Sequence, residues 1–159
     1  MTTIDRRPTT SAAGQIDARG PRFGAVITTV VLALTLITLP STLSLVLLAA
    51  QTVVFALGSL VGLQSQPYGI VFRRLVRPRL GPPAVFEDQA PPRFAQTVGL
   101  GFAVVALVGL LAGATTLAYI AVGFALGAAF LNAAFNFCLG CEMYLLGRRL
   151  LSSRVVTSA

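Results

Sequence analysis

Histidine and lysine are absent from this 159-residue chain, and cysteine occurs only twice. Without histidine there is no imidazole to bind haem or copper. A four-coordinate zinc site would need a second chain or another donor. Charge is scarce and confined. Residues 23–72 and 94–141 contain no Asp, Glu, Lys or Arg. A soluble domain scatters charge over its surface, so the pattern excludes one. The spans also lack the ionisable group that a proton pump or cation transporter keeps within the membrane. No nucleotide-binding loop or catalytic triad is recognisable, so no enzyme class, cofactor or metal is expected.

What is present is apolar. Apolar residues make up 55% of the chain, and mean hydropathy is +0.83. The expected fold is an all-α integral membrane bundle. A spanning helix needs about 20 apolar residues, so each uncharged run is long enough for two. Pro40-Ser41 breaks the first run and Gly113-Ala114-Thr115-Thr116 the second, as in tight turns between antiparallel helices. Four spans are predicted, over Phe23–Leu39, Leu43–Leu63, Phe94–Ala112 and Leu117–Phe137, with the first one short. They divide the chain into a disordered tail (1–20), a hairpin (21–63), a linker (64–93), a second hairpin (94–137), an exit segment (138–150) and a last tail (151–159).

All 12 basic residues are arginine. They precede the first span (Arg6, Arg7, Arg19, Arg22), fill the linker (Arg73, Arg74, Arg77, Arg79, Arg93) and follow the fourth span (Arg148, Arg149, Arg154). Two spans per run put all three segments on one side, and basic short segments stay in the cytoplasm. The expectation is a multi-pass protein of the cytoplasmic (inner) membrane with both termini inside. The net charge of +7 invites nucleic-acid binding. The arginines hug the spans, however, so no nucleic-acid partner is expected. Arg73, Arg74, Arg77, Arg148 and Arg149 instead face the anionic headgroups of the lipid bilayer. Tyr68, Val71, Phe72, Leu75 and Val76 fall on one helical face, which predicts an interfacial helix in the linker that Pro78 ends. Beyond it, Gly81-Pro82-Pro83 and Pro91-Pro92 flank Glu87-Asp88 in a stiff, exposed connector.

The halves resemble each other. Pro21-Arg22-Phe23 returns as Pro92-Arg93-Phe94, and Arg73-Arg74-Leu75 as Arg148-Arg149-Leu150, as expected of a duplicated hairpin. Gly58/Gly62, Gly109/Gly113 and Gly123/Gly127 are small-xxx-small pairs, suited to packing within the bundle or to a homo-oligomer contact.

The polar residues inside the spans are Gln51, Asn132 and Asn136. Asn132 and Asn136, four apart, share a helical face. They suit interhelical hydrogen bonds or a polar path. Both cysteines lie in Phe137-Cys138-Leu139-Gly140-Cys141-Glu142. Such a pair can form a reversible disulfide, carry sulfur, or supply two ligands to a soft metal. They could also be small, inert packing residues. On a continuous helix, Glu142 lies one turn beyond Cys138 and disfavours its thiolate, and both cysteines point away from Asn132 and Asn136. If Gly140 breaks the helix and a new one starts near Cys138, a thiol sits at a helix N-terminus, which favours the thiolate. In a reducing cytoplasm a permanent structural disulfide is not expected.

Phe137-Cys138-Leu139-Gly140-Cys141 with Met143-Tyr144, and the openings Pro21-Arg22-Phe23 and Pro92-Arg93-Phe94-Ala95-Gln96, resemble the signature of a family of small bacterial, actinobacterial membrane proteins, the domain of unknown function 4395. The resemblance covers residues 20–150. It implies a small multi-span protein with no assigned activity, and a thioredoxin-like or sulfurtransferase partner for Cys138 and Cys141. Three roles are thus expected to compete. The first is a cytosol-facing thiol or sulfur-handling pair, tuned by Glu142. The second is a structural subunit of a membrane assembly. The third is a carrier or channel for a small neutral or sulfur-containing solute along Asn132, Asn136 and Gln51.

Overall fold

A computed structural model of the chain describes residues 14–82 and 85–156, the last four as backbone alone. Four helices are long and apolar enough to cross a membrane. They are α1 (Arg19–Thr38), α2 (Thr42–Ala56, extended by a π-helical turn over Leu57–Val61), α5 (Ala90–Leu111) and α6 (Thr115–Phe135). A short strand β1 (Gln15–Asp17) precedes α1. Between α2 and α5 lie α3 (Pro67–Val71), a second π-helical turn (Phe72–Val76), α4 (Arg77–Leu80) and strand β2 (Phe86–Asp88). A last helix, α7 (Leu139–Val156), follows α6.

α1 packs on α2 and α6, and α5 packs on α2, α6 and α7, which closes a ring of four spans. Alanines at positions 103, 106, 118 and 121 are buried together with Leu32, Leu48, Phe55 and Val122. Side chains this small let helix backbones approach closely, which is how helices gain packing energy in lipid. The outer surface is apolar. Ile37 is 79% exposed, Leu60 70% and Leu111 69%. In water such a surface would aggregate; against acyl chains it is the required one. Several hydroxyls inside the spans are satisfied locally. Thr35 Oγ1 donates to the Val31 carbonyl at 2.8 Å and Thr52 Oγ1 to the Leu48 carbonyl at 2.7 Å. The turns are made as their residues dictate. The Ser41 hydroxyl caps α2 by accepting the Ser44 N–H. Gly113, at φ 75°, closes the turn after α5. Tyr119 Oη donates to the Leu39 carbonyl at 2.8 Å and ties the start of α6 to the end of α1.

Several expectations change. The first span is not short, because α1 begins at Arg19. The stretch expected to be disordered through residue 20 is ordered where it is described, with strand β1 at Gln15–Asp17 and α1 from Arg19. Gln15–Asp17 pairs antiparallel with Phe86–Asp88, in the register Gln15 to Asp88, Ile16 to Glu87 and Asp17 to Phe86. Residues 1–13 and 157–159 of the predicted tails lie outside the described residues. Glu87-Asp88 thus belongs to a ribbon, not a connector. Pro91 and Pro92 lie in the first turn of α5, where a missing N–H costs nothing. Pro78 does not end the linker helix. It lies in the first turn of α4, and Gly81, at φ 73°, follows the last turn. The predicted apolar face of that helix is split. The π-helical turn shifts the register, so Phe72 is buried while Val71 and Leu75 are exposed.

Similar contacts recur at spacings of 71 to 74 residues. Arg22 Nε donates to the Ala133 carbonyl near the end of α6. Arg93 donates to the Ser59 and Leu60 carbonyls near the end of α2. Asp17 Oδ1 accepts the Arg19 N–H, and Asp88 Oδ1 accepts the Ala90 N–H, each at 3.0 Å. Phe23 packs on Phe72 with ring centroids 5.6 Å apart, and Phe94 on Tyr144 at 5.7 Å. The arginines cap the C-terminal ends of helices, where carbonyls lack partners and a cation is favoured.

The Asp17–Arg19 ion pair anchors the ribbon, at 2.9 Å. Partial burial acts to raise the Asp17 carboxyl, but the hydrogen bonds and charge of Arg19 outweigh it and hold the group below its ordinary value. A carboxyl lowered in the folded state contributes stability above the ordinary carboxylate range, near pH 4, and loses it as pH falls through the folded value. Protection of the ribbon amides, relative to their intrinsic exchange, should therefore fall on acidification below about pH 4. In Asp17→Asn it should be low already at neutral pH and lack that acid step.

Candidate functional site

Asn136 decides the geometry of the exit segment. It adopts the left-handed conformation, φ 55° and ψ 30°, and ends α6. Asparagine tolerates this region better than other residues with a Cβ. Its N–H reaches the Asn132 carbonyl and the Phe137 N–H reaches the Leu131 carbonyl, satisfying late groups of the helix. Asn132 and Asn136 therefore do not share a face of one helix, because Asn136 has left it.

A new helix starts at once. Cys138 immediately precedes α7, and its Sγ accepts the Cys141 N–H at 3.3 Å. This is the N-cap arrangement with sulfur in place of oxygen. Of the two arrangements the sequence leaves open, the thiol at a helix N-terminus is the one found. The break is at Asn136, though, and not at Gly140, which lies within the first turn of α7. The Glu142 N–H donates to the Cys138 carbonyl at 3.0 Å. Its side chain is exposed in that same first turn, where negative charge suits the helix dipole. Cys138 and Cys141 are joined by a disulfide, with Cα atoms 5.2 Å apart, inside the range such bonds require.

α7 is held against α5 at two places. Gly140 is buried. A Cβ added there would stand 2.6 Å from Ala95 Cα, so only glycine fits the approach. One turn on, Tyr144 packs on Phe94.

A cavity of about 600 Å³ lies between α1, α5, α6 and α7. Cys138, Cys141, Glu142, Asn132 and Asn136 all line it. On a straight helix the cysteines would have pointed away from the two asparagines; the break at Asn136 brings all four residues to one space. Arg22, Glu87 and Asp88 line it as well. Sequence reasoning used these three only as topology and loop markers. The repeated Pro-Arg-Phe was the signal that could have singled out Arg22.

Other predicted residues lie elsewhere. Gln51 is 1% exposed, accepts from Tyr68 Oη at 2.8 Å and faces Thr28 Oγ1 at 3.5 Å. It does not line this cavity and so forms no continuous path with Asn132 and Asn136. Arg73, Arg74, Arg77, Arg148 and Arg149 are exposed on α7 and the linker helices, and Arg73 donates to the Gln64 carbonyl. Of the glycine pairs, Gly58 packs on Gln96 and Gly109 on the first turn of α6, while Gly123 and Gly127 face open space.

No curated protein and no solved structure matches the chain. A family model does, described as Domain of unknown function (DUF4395), and it spans residues 16–149. That range takes in the ribbon, the four spans and the start of α7 with its cysteine pair. The chain belongs to the DUF4395 family.

Proposed function

We propose that Cys138 and Cys141 form a reversible thiol/disulfide pair that faces the cytosol and exchanges with a soluble partner of thioredoxin-like or sulfurtransferase type. One observation carries this reading: Cys138 caps α7, with its sulfur on the Cys141 N–H. A helix N-terminus stabilises the anion that a reduced Cys138 presents, and the thiolate is the nucleophile of exchange. Cys138 is thus the attacking sulfur and Cys141 the resolving one. Exposed Glu142 is placed to take up the proton released.

The two halves are read as copies of one hairpin, on the support of the matched contacts at Arg22 and Arg93 and of the matched aromatic pairs. In that register Gln66 of the first copy, which precedes α3, answers to Cys138, which precedes α7. Gln66 is bonded to Gln96 at 3.0 Å. A hydrogen-bonding amide in one copy and a disulfide in the other mark the thiol pair as a specialisation of the second half. The cytosolic side is inferred from the arginines that surround the ribbon end.

The Cys141→Ser variant tests the assignment. It should trap partner thiols as mixed disulfides on Cys138, seen as reducible higher bands on non-reducing gels. Cys138→Ser should trap none. Equal trapping by both, or by neither, would remove the proposal.

A second reading, a contact surface for a membrane assembly or a second copy, has its own observation. Gly123 and Gly127 have no neighbour within 4 Å of a built Cβ, and Phe124 between them is 65% exposed.

A further inference from the structure

The cavity runs from the disulfide into the span region, and its walls become apolar as it does so. Phe55, Val98, Phe102, Phe124 and Ala125 line it. Ala128 and Ala129 line it too, and larger side chains there would close it. At about 600 Å³ it falls within the usual range of small-molecule sites, roughly 300–1,000 Å³. A soluble protein cannot enter such a space, so its occupant is a small molecule. Phe124, midway along α6, lines the cavity and is 65% exposed. At that depth the bundle is surrounded by acyl chains, so a lipid-soluble occupant fits this wall.

The chemistry of the wall narrows the occupant further. A thiol/disulfide pair exchanges two electrons and two protons. An acyl lipid accepts no electrons. Nucleotide and flavin cofactors carry phosphates that need cationic or backbone N–H partners. The wall offers a single cation, Arg22, whose Nε donates to the Ala133 carbonyl, and sets the carboxylates of Glu87, Asp88 and Glu142 against it. A quinone carries two electrons with two protons, has a planar apolar ring that suits the phenylalanine walls, and dissolves in lipid. Its carbonyl oxygens need hydrogen-bond donors, and the amides of Asn132 and Asn136 are the neutral donors beside the sulfurs.

We infer that this cavity binds a membrane quinone, which oxidises the reduced Cys138–Cys141 pair. The two S–H bonds break and one S–S bond forms. The two electrons and two protons pass to the quinone, whose two carbonyl oxygens become the hydroxyls of a hydroquinone. The inference rests on the exchange reading above and deepens it. The soluble partner would reduce the disulfide, and the quinone would restore it.

The test uses the full chain in lipid nanodiscs, reduced with dithiothreitol and freed of it. Decylubiquinone is added, and quinone absorbance and free thiols are followed together. The expected result is one quinone reduced per pair, with both thiols lost. Ala128→Phe should fill the cavity and slow this step by about tenfold or more. The milder Ala128→Val should fall between, and wild-type helicity by circular dichroism reports that either variant is folded. A wild-type pair that opens with dithiothreitol but never reduces the quinone would overturn the inference and leave the exchange reading standing. So would an Ala128→Phe protein that reduces quinone at the full rate. A disulfide that dithiothreitol cannot open would sink both.

Discussion

Gly140→Val is expected to detach α7 from α5. Its Cβ would stand 2.6 Å from Ala95 Cα and 2.7 Å from Ala95 Cβ. The obstacle is largely backbone, which cannot rotate aside. Overpacking of this kind costs about 1–3 kcal/mol, and more where backbone must move. Holding α7 against the bundle depends on this contact and on the ring pair Phe94–Tyr144. The four spans pack independently of Gly140 and should survive. The variant should keep its span helicity while α7 becomes accessible to protease. Quinone reduction by the cysteine pair should fall by about tenfold or more, since the cavity wall is lost. Gly140→Val protein with α7 as protected as in the wild type would show that the close approach does not hold the helix.

The second large effect belongs to Asn136. A residue with a Cβ in the left-handed region pays about 1–2 kcal/mol, and a β-branched one more. Asn136→Val should therefore favour the continuous helix that the sequence at first suggests. Cys138 would then lose its place at the start of a helix and its hydrogen bond from the Cys141 N–H. Asn136→Gly should instead keep the break, because glycine accepts that conformation freely. Thiol titration in the reduced proteins separates these outcomes. Cys138 of Asn136→Val should react with iodoacetamide only at a higher pH than in the wild type, and Asn136→Gly should match the wild type. Identical profiles for all three would detach the thiol chemistry from the helix break.

The spans were legible because charge is so costly in lipid that its absence from residues 23–72 and 94–141 leaves few alternatives. Pro40-Ser41 and Gly113 marked the turns for equally direct reasons. The limits of the spans were less legible. The α5 helix starts among prolines that read as a connector, since Pro91 and Pro92 serve a first helical turn as well as a loop. The ribbon was invisible. Three residues per strand are too few for an alternating pattern, and its partners are 69 to 73 residues apart. The Cys138–Cys141 pair stood out from its spacing alone, but its surroundings did not. A single left-handed residue, Asn136, redirects the chain, and nothing in an uncharged run distinguishes a capping asparagine from one on a helix face. The cavity was beyond reach for a related reason. It is lined by residues of different helices, such as Val98 and Phe102 on α5 and Ala128 and Ala129 on α6, which acquire meaning only once the helices are packed.

The central claim is that the pair is an exchangeable disulfide at the cytosolic end of a four-span bundle. A membrane-impermeant maleimide tests it most directly, applied to intact cells and to inside-out vesicles, each with and without a prior reduction step. The account predicts no labelling of intact cells under either condition. It also predicts labelling of Cys138 and Cys141 in inside-out vesicles only after reduction. Labelling from outside intact cells would place the pair on the wrong side, and vesicles that stay unlabelled after reduction would show a pair buried beyond exchange.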